Sequence, residues 1–247
     1  MCLIALAYRA STRYPLIVAA NRDESHARPT AAAAWWTGGP DVLGGRDLAA
    51  GGTWLAVDRV GRFAAVTNVR DESQSAESGR RSRGLLVTGY LGNPQSAAEF
   101  AAAAAAAGPR FGPFNMLVLD RDSLHYTSNR GTPKPLGAGL HALGNVEPGV
   151  AWPKITRATE RLEGMLDDAD PTDALFALLA ERGSPRPGYD DRQVSLFQLN
   201  PIWGTRSSTV VLIDSAGDGR FVERSFDPEG KATGEVRFEF GVRSSPG

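Results

Sequence analysis

The chain has 247 residues, of which 42% are hydrophobic and 22% are charged, and its formal net charge is −1. These values are typical of a globular protein with a substantial core, and the near-neutral charge excludes a global attraction to nucleic acid or to an anionic membrane. The single cysteine, Cys2, cannot form an internal disulfide. No apolar run approaches the roughly 20 residues of a membrane-spanning helix. We therefore expect a cytoplasmic protein without a membrane span or a nucleic-acid partner.

The N-terminal segment predicts a buried hairpin whose second strand ends in a polar tetrapeptide. Apolar runs at residues 3–7 and 15–20 flank a polar turn, and Asn21-Arg22-Asp23-Glu24 follows the second run. A turn centred between residues 11 and 12 would place Cys2 opposite Asn21. The thiol would then lie beside an amide, a guanidinium and two carboxylates.

The rest of the chain predicts further hairpins and two pairs of helices. Residues 28–47 are expected to form a loop rich in alanine and glycine, and residues 70–83 a polar surface loop. The other predicted strands cover residues 52–58, 62–68, 114–119, 124–126, 141–145, 209–214, 220–225 and 235–240, and the predicted helices cover residues 83–91, 97–107, 155–166 and 172–181. This order lacks the regular alternation of a parallel sheet. It indicates an α+β fold of two antiparallel sheets, each with a helix pair against its outer face, in one domain spanning residues 1–247.

Cys2 is the strongest candidate for a catalytic residue, because its position would supply the base that a thiol nucleophile needs. If Met1 is removed, Cys2 carries a thiol and an α-amine on the same residue. An α-amine, with a pKa of about 8, is able to accept the thiol proton directly or through water. This is the arrangement of N-terminal nucleophile hydrolases. The alternative is that Cys2 is a small buried hydrophobic residue in a strand.

Other polar residues have both a catalytic and a structural interpretation. Asp23 would orient the α-amine and Arg22 would lower the thiol pKa, unless both belong to a polar strand end. Asn68 and Asn145 each end an apolar segment, so their amides would either donate to an oxyanion or cap turns. Arg206 lies among small polar residues before an apolar strand and would bind a carboxylate. The three histidines have no spacing that suggests metal ligands.

These residues, taken together, resemble a known family. The matching segments are Met1-Cys2, Asn21-Arg22-Asp23-Glu24, Arg28-Pro29, Gly45-Arg46-Asp47, Gly52-Thr53-Trp54, Thr67-Asn68-Val69-Arg70, Ser82-Arg83-Gly84, Phe114-Asn115, His141 to Asn145, Trp152-Pro153-Lys154 and Gly204-Thr205-Arg206-Ser207-Ser208-Thr209. They are similar, in order, to segments of the NRDE family, which is the transport and Golgi organisation protein 2 family. The resemblance implies the four-layer αββα fold of N-terminal nucleophile hydrolases, in the cysteine branch that includes bile-salt hydrolases and penicillin V acylases.

The resemblance also implies residue roles. The counterparts of that branch's functional residues are Cys2, Arg22, Asp23, Asn145 and Arg206, and Asn68 resembles a further asparagine near the oxyanion site. Arg22 and Asp23 are adjacent here, whereas the acylases separate them. Eukaryotic members of the family are linked to Golgi organisation, mitochondrial lipid metabolism and haem trafficking.

Two functional hypotheses follow. In the first, the protein is an amidohydrolase or acyltransferase that acts on a linear amide or a thioester through an acyl-Cys2 intermediate, without a cofactor or a metal. Catalysis would use Cys2, Asp23, Asn68 and Asn145, and substrate binding would use Asn21, Arg22 and Arg206. In the second, the protein is a non-catalytic carrier of haem or an acyl-CoA-like lipid. The expected partner is a small amide, acyl or haem-like molecule, and the oligomeric state is left open.

Overall fold

The computed structural model describes residues 2–69, 79–150 and 152–243. Met1 and residues 70–78, which include Arg70 of the family motif and most of the predicted surface loop, lie outside these ranges. The described chain divides into two compact units, and each contains one antiparallel sheet. The first unit comprises Met1–Arg28, Ala138–Gly144 and Val150–Gly241, and the second comprises Pro29–Gly137, Asn145–Gly149 and Val242–Gly247. The single domain over residues 1–247 stays a prediction.

The elements follow one another as hairpins interrupted by helices. The strands are β1 (Leu3–Tyr8), β2 (Leu16–Ser25), β3 (Thr30–Trp35), β4 (Val42–Asp47), β5 (Leu55–Asp58), β6 (Phe63–Asn68), β7 (Phe114–Leu119), β8 (Leu124–Ser128), β9 (Gly131–Leu136), β10 (Gly139–Leu143), β11 (Trp203–Ile213), β12 (Asp218–Phe226) and β13 (Ala232–Gly241). The α-helices are α1 (Gly84–Leu91), α2 (Ala97–Ala106), α3 (Pro153–Glu163), α4 (Thr172–Leu179) and α5 (Asp191–Val194). Within the described ranges, no helix has the length and apolar character needed to cross a membrane.

The sheet of the first unit has the order β10-β1-β2-β11-β12-β13, with every pairing antiparallel. Helices α3 and α4 pack on one of its faces. Alternate residues of a strand point to the same face, so Leu3, Ala5 and Ala7 of β1 all contribute to this core. They pack with apolar residues of the helices, among them Leu162 and Leu175.

The sheet of the second unit is a meander whose strands pair in chain order from β3 to β9. Helices α1 and α2 pack on one of its faces, and their core includes Tyr90, Phe100 and Met116. The alanines of α2 permit close packing, since Ala101 and Ala104 are buried against this sheet. The predicted α+β class with two antiparallel sheets is therefore confirmed.

The first hairpin has a register one residue away from the predicted one. Leu3, not Cys2, lies opposite Asn21. The pairing ends at Tyr8 and Leu16, so the turn is centred on Thr12 rather than between residues 11 and 12. Such a shift matters because successive side chains of a strand point to opposite faces of the sheet. Cys2 consequently lies one position further along β2, next to Arg22 and Asp23.

The predicted loop over residues 28–47 is wrong, because it contains strands β3 and β4. Alanine and glycine are depleted in strands, so their run indicated a loop. Packing in the folded protein nevertheless favours strands in this segment. A Cβ built at Gly45 would lie 2.2 Å from Cη2 of Trp54, so this strand position requires glycine to admit the indole ring. The unpredicted strand β9 contains two prolines and lies at the edge of its sheet, where proline is tolerated.

Candidate functional site

The candidate site of the first unit lies where two neighbouring strands extend beyond their apolar segments. The apolar pattern predicted that β2 ends at residue 20 and that β11 begins at residue 209. In the structure β2 continues to Ser25 and β11 begins at Trp203, and these polar ends pair with each other. The pairing brings Asp23 opposite Thr205 and Arg22 opposite Ser207.

Cys2 precedes β1 at this polar end of the sheet and is partly buried. Its thiol donates a long hydrogen bond to the backbone carbonyl of Asp23, with Sγ and O 3.9 Å apart. Burial raises the pKa of the Cys2 thiol, and the Asp23 carboxylate raises it further, while the Arg22 guanidinium lowers it. The net effect is a raised pKa, so a nucleophilic role would require a base to remove the thiol proton.

Asp23 is buried and held by a hydroxyl group. Thr205 Oγ1 donates to Asp23 Oδ1 at 2.7 Å and accepts from the backbone N–H of Gln198 at 2.8 Å. Because the N–H occupies an acceptor position of the hydroxyl, its proton is directed to the carboxylate. The structure thus brings Cys2 and Asp23 together, as predicted from the sequence, and adds Thr205, which the sequence indicated only as part of a family motif.

Arg22 is buried beside a carboxylate that it shares with a second arginine. Its Nη2 lies 3.9 Å from Glu24 Oε2, and the same oxygen lies 3.9 Å from Nε of Arg28. Both distances are at the long limit of an ion pair, and Glu24 is partly exposed. The two arginines therefore share the Glu24 carboxylate at the polar end of β2.

Asn21 is buried and engaged with the protein itself. Its Nδ2 donates to the carbonyls of Leu179 and Leu196 at 2.8 and 2.9 Å, and its Oδ1 accepts from Ser208 Oγ at 2.6 Å. These bonds connect β2 to the end of α4 and to the segment before β11. They use both hydrogens of the amide. Substrate binding by Asn21 stays a prediction. The observed hydrogen bonds give this residue a structural role, because they hold neighbouring segments together.

Arg206 is the extra residue of a bulge in β11, where the pairing with β2 shifts between Thr205 and Ser207. Its Nη1 donates to three backbone carbonyls, those of Ser25 at 2.8 Å, His26 at 3.0 Å and Arg28 at 3.2 Å. The guanidinium therefore anchors the chain as it leaves β2. Carboxylate binding by Arg206 stays a prediction.

Asn68 and Asn145 belong to the second unit and contact each other there. Asn145 is buried, and its Nδ2 donates to the backbone carbonyl of Asn68 at 2.6 Å. The side chain of Asn68, at the end of β6, is exposed. The bond uses one of the two hydrogens of Asn145 Nδ2. Donation to an oxyanion by these amides stays a prediction.

Lys154, in the first turn of α3, is a residue of the site region that the sequence analysis did not assign. Its side chain is 0% exposed, although lysine is almost never fully buried unless it is paired. A signal was present in the sequence: Lys154, Ala158 and Leu162 are spaced by four and form one helical stripe, and all three are buried. Burial lowers the pKa of the Lys154 amine, whereas the Asp23 carboxylate and the Cys2 thiolate raise it. Burial is the largest of these effects, so the pKa of the Lys154 amine is lowered overall.

Metal binding has little support in the described ranges. No three side chains of His, Cys, Asp or Glu come together there in a way that would hold a metal ion. The thiol of Cys2 is the soft donor available to a haem iron or another soft metal centre.

Comparisons with known proteins bear on the family and the fold of this chain. A family model described as Transport and Golgi organisation 2 matches residues 1–228. The mouse protein "Transport and Golgi organization 2 homolog" is 30% identical, and the human "Transport and Golgi organization protein 2 homolog" is 29% identical; each alignment covers 99% of this chain and 100% of the relative. A solved structure of the Caenorhabditis elegans N-acylethanolamine-hydrolyzing acid amidase ortholog is similar, with a TM-score of 0.54 and 13% identity over 85% of this chain and 92% of that one. At this identity the structural likeness shows the fold, which is the predicted fold of N-terminal nucleophile hydrolases.

Proposed function

The chain belongs to the Transport and Golgi organisation 2 family, as its motifs predicted, and from this premise we propose that it is a cysteine-dependent amidohydrolase. Cys2, made N-terminal by removal of Met1, attacks the carbonyl carbon of a linear amide or a thioester. The observation that carries the proposal is a buried carboxylate, that of Asp23, held by Thr205 on the same residue whose backbone carbonyl accepts from the Cys2 thiol. A plain strand end would not require a buried carboxylate at this place.

The proposed reaction has two stages. The α-amine accepts the thiol proton, Asp23 orients the amine, and the sulfur forms a bond to the carbonyl carbon. The resulting oxyanion is stabilised by amide donors, for which Asn68 and Asn145 are the candidates. When the intermediate collapses, the C–N bond of an amide or the C–S bond of a thioester breaks, and the leaving amine or thiolate takes the proton. Water then hydrolyses the acyl-Cys2 thioester, or an acceptor takes the acyl group.

The proposed substrate class is defined by the bond that the reaction cleaves. The structurally similar nematode protein is named for the hydrolysis of N-acylethanolamines, which are amides of acyl chains. We extend to this chain only the general class, an amide or thioester of an acyl group. Arg22 and Arg206 are the candidates for binding an acidic group on such a substrate.

A second candidate function rests on the partly buried position of the Cys2 thiol against Asp23, where burial raises the thiol pKa. A thiol that stays protonated at neutral pH is a poor nucleophile. In this alternative the protein keeps the fold without turnover and carries haem, with Cys2 as an iron ligand, or an acyl-CoA-like lipid. A Soret band that forms on titration with haem and is absent in Cys2→Ala would support the carrier function.

The first test is the intact mass of the purified protein, combined with trapping of the acyl-enzyme. Because Cys2 is the only cysteine, a thiol reagent or an acyl probe that modifies sulfur reports on this residue alone. We expect the mass of the chain without Met1. On incubation with a p-nitrophenyl acyl ester, we expect an increase by one acyl group in wild type and none in Cys2→Ala.

Cys2→Ser is the matched control, because it replaces the thiol with a hydroxyl group of similar size and much weaker reactivity. Retention of Met1 would exclude the proposed use of the α-amine. Acylation that persists in Cys2→Ala would place the reactive group elsewhere.

A further inference from the structure

The second unit has a small cavity whose lining includes none of the residues assigned to the candidate site. The cavity lies at the C-terminal end of α2 and has a volume of about 220 Å³. This volume equals that of roughly seven water molecules, and sites for drug-sized ligands begin at about 300 Å³. The cavity therefore suits a small molecule or one group of a larger one. Its lining includes Arg80, Ala105, Phe111, Pro113, Asn129 and Arg130.

The wall of the cavity is fixed by the side chain of Asn129. Its Nδ2 lies 3.1 Å from the carbonyl oxygen of Gly108, 3.3 Å from that of Gly112 and 3.5 Å from that of Phe111. Its Oδ1 accepts from the backbone N–H of Phe114 at 3.0 Å. The backbone at Gly108 comes so close that a Cβ there would lie 2.5 Å from Cβ of Asn129. A ligand would therefore meet a preformed wall, which lowers the cost of binding.

The charges at the cavity are mainly positive. Arg80, which precedes α1, and Arg130, in the turn between β8 and β9, bring two guanidinium groups to it from separate segments. Cζ of Arg81 lies 5.7 Å from the centroid of the Phe111 ring, which adds a third positive charge nearby. The carboxylate of Glu147 lies 3.9 Å from Nε of Arg130, at the long limit of an ion pair. Within the described ranges, no aspartate or glutamate lines the cavity. Such a charge distribution attracts anions.

Two guanidinium groups at one cavity match a phosphate monoester better than a carboxylate. A carboxylate has two oxygens, which a single guanidinium fork satisfies. A phosphate monoester has three strong acceptor oxygens and a charge near −2 at neutral pH, so it is able to bind Arg80 and Arg130 together. Phe111 and Pro113 add apolar surface to the lining, as is typical of sites for organic ligands.

We propose that this cavity binds a small organic phosphate monoester. The phosphate group is held by Arg80 and Arg130, and the organic part packs against Phe111 and Pro113. A free phosphate ester and the head group of a lipid present the same chemical group, so the ligand is defined by that group. The proposal does not require Cys2 to be a nucleophile and therefore goes beyond the proposed function.

The test is isothermal titration of the full chain with phenyl phosphate. We expect saturable binding to wild type, and affinity at least tenfold lower in Arg80→Gln and in Arg130→Gln. Benzoate has the same ring with a carboxylate and should bind wild type at least tenfold more weakly than phenyl phosphate. Arg121→Gln removes an exposed arginine from the turn between β7 and β8 in the same unit, and it should bind as wild type does.

A second variant separates the cavity from general attraction by surface charge. Ala105→Leu leaves every charge in place and adds a side chain that occupies the cavity, so affinity should again fall at least tenfold. Ala102→Leu makes the same change at an exposed position of α2 and should bind as wild type does. If Ala105→Leu does not fold, Ala105→Val serves for the same measurement.

Sedimentation with phosphatidylcholine vesicles that contain phosphatidic acid distinguishes the two sources of the ligand. Sedimentation that is lost in Arg130→Gln would identify a lipid head group, and binding of phenyl phosphate without sedimentation would identify a free ester. Either result sustains the proposal. Absence of saturable binding of phenyl phosphate to wild type would overturn it, and so would equal affinities of wild type, Arg130→Gln and Ala105→Leu. Neither outcome depends on whether the protein hydrolyses an amide.

Discussion

Asp23 illustrates how a single residue of this protein depends on partners distant in the sequence. Its carboxylate accepts a hydrogen bond from Thr205, which is itself oriented by the backbone of Gln198. Loss of such a donor from a buried carboxylate costs folding free energy, because water cannot take the place of the donor. The hydroxyl of Thr205 therefore helps to keep Asp23 in place beside Cys2.

We predict that Thr205→Val lowers the free energy of unfolding by about 1–3 kcal/mol, the usual cost of leaving buried polar groups unsatisfied. Acylation of Cys2 should also slow, because Asp23 would lose its fixed orientation. Urea denaturation and the acylation assay measure the two effects. Thr205→Ser keeps the hydroxyl and should lose clearly less stability. Equal losses in the two variants would contradict a specific role of the hydroxyl group, because Thr205→Ser retains it.

At the scale of elements, the sequence predicted most strands and helices and failed where local composition and tertiary packing disagree. Period-two and helical patterns predicted the apolar parts of β1, β2 and β11 and the helices α1 to α4, but not the short α5. The polar ends of β2 and β11 were missed because they pair with each other and lack the apolar pattern of a strand that packs on a core. Cys2 and Asp23 were predicted together from hairpin geometry, although with a register one residue away. Lys154 and Thr205 were not assigned, because the burial of one and the contacts of the other depend on neighbours that only the folded chain brings near.

The close approach of Trp54 to β4 can be tested directly. Gly45→Ala should destabilise the protein by about 1–3 kcal/mol, because the new methyl group would overlap the indole ring. Gly39→Ala is a matched control in the same unit, since a Cβ there meets nothing within 4 Å. Its effect should stay within about 0.5 kcal/mol. Chemical denaturation of both variants measures the difference, and equal effects would show that β4 moves away from Trp54 at little cost.

At the scale of the whole molecule, acid should weaken a set of polar contacts that joins helix and sheet within the first unit. Asp170 accepts from the N–H and hydroxyl of Thr172, at 3.1 and 2.6 Å, and from Arg220 Nη1 of β12 at 2.6 Å. Desolvation opposes the charged form, but these bonds outweigh it and lower the pKa of Asp170 to about 2. Because the folded pKa lies below the ordinary value of 3.8, this contribution to stability is complete above about pH 4 and is lost as the pH falls towards 2.

We predict that Asp170→Asn lowers the melting temperature at pH 7 and makes it less dependent on pH between 4 and 2 than in wild type. The effect should be modest, because the Asp170 side chain is 51% exposed and solvent screens its charge. The exposed Asp167→Asn is the control for removing one carboxylate from the same segment. Calorimetry over this pH range measures both variants. Parallel curves for Asp170→Asn and wild type would contradict the prediction.

The two sheets differ in how far apart in the chain their paired strands lie, and this difference has a consequence for protein synthesis. The second sheet pairs neighbours in chain order, so it is able to form as its strands leave the ribosome. The first sheet cannot be completed until β10 and β11 have been synthesised, because β1 pairs with β10 and β2 pairs with β11. At translation rates of about 5–20 residues per second, roughly 10–40 seconds separate the synthesis of β2 from that of β11. During that time the N-terminal hairpin lacks its other partner strands, and we expect this interval to be when an aminopeptidase reaches Met1 and exposes the α-amine of Cys2.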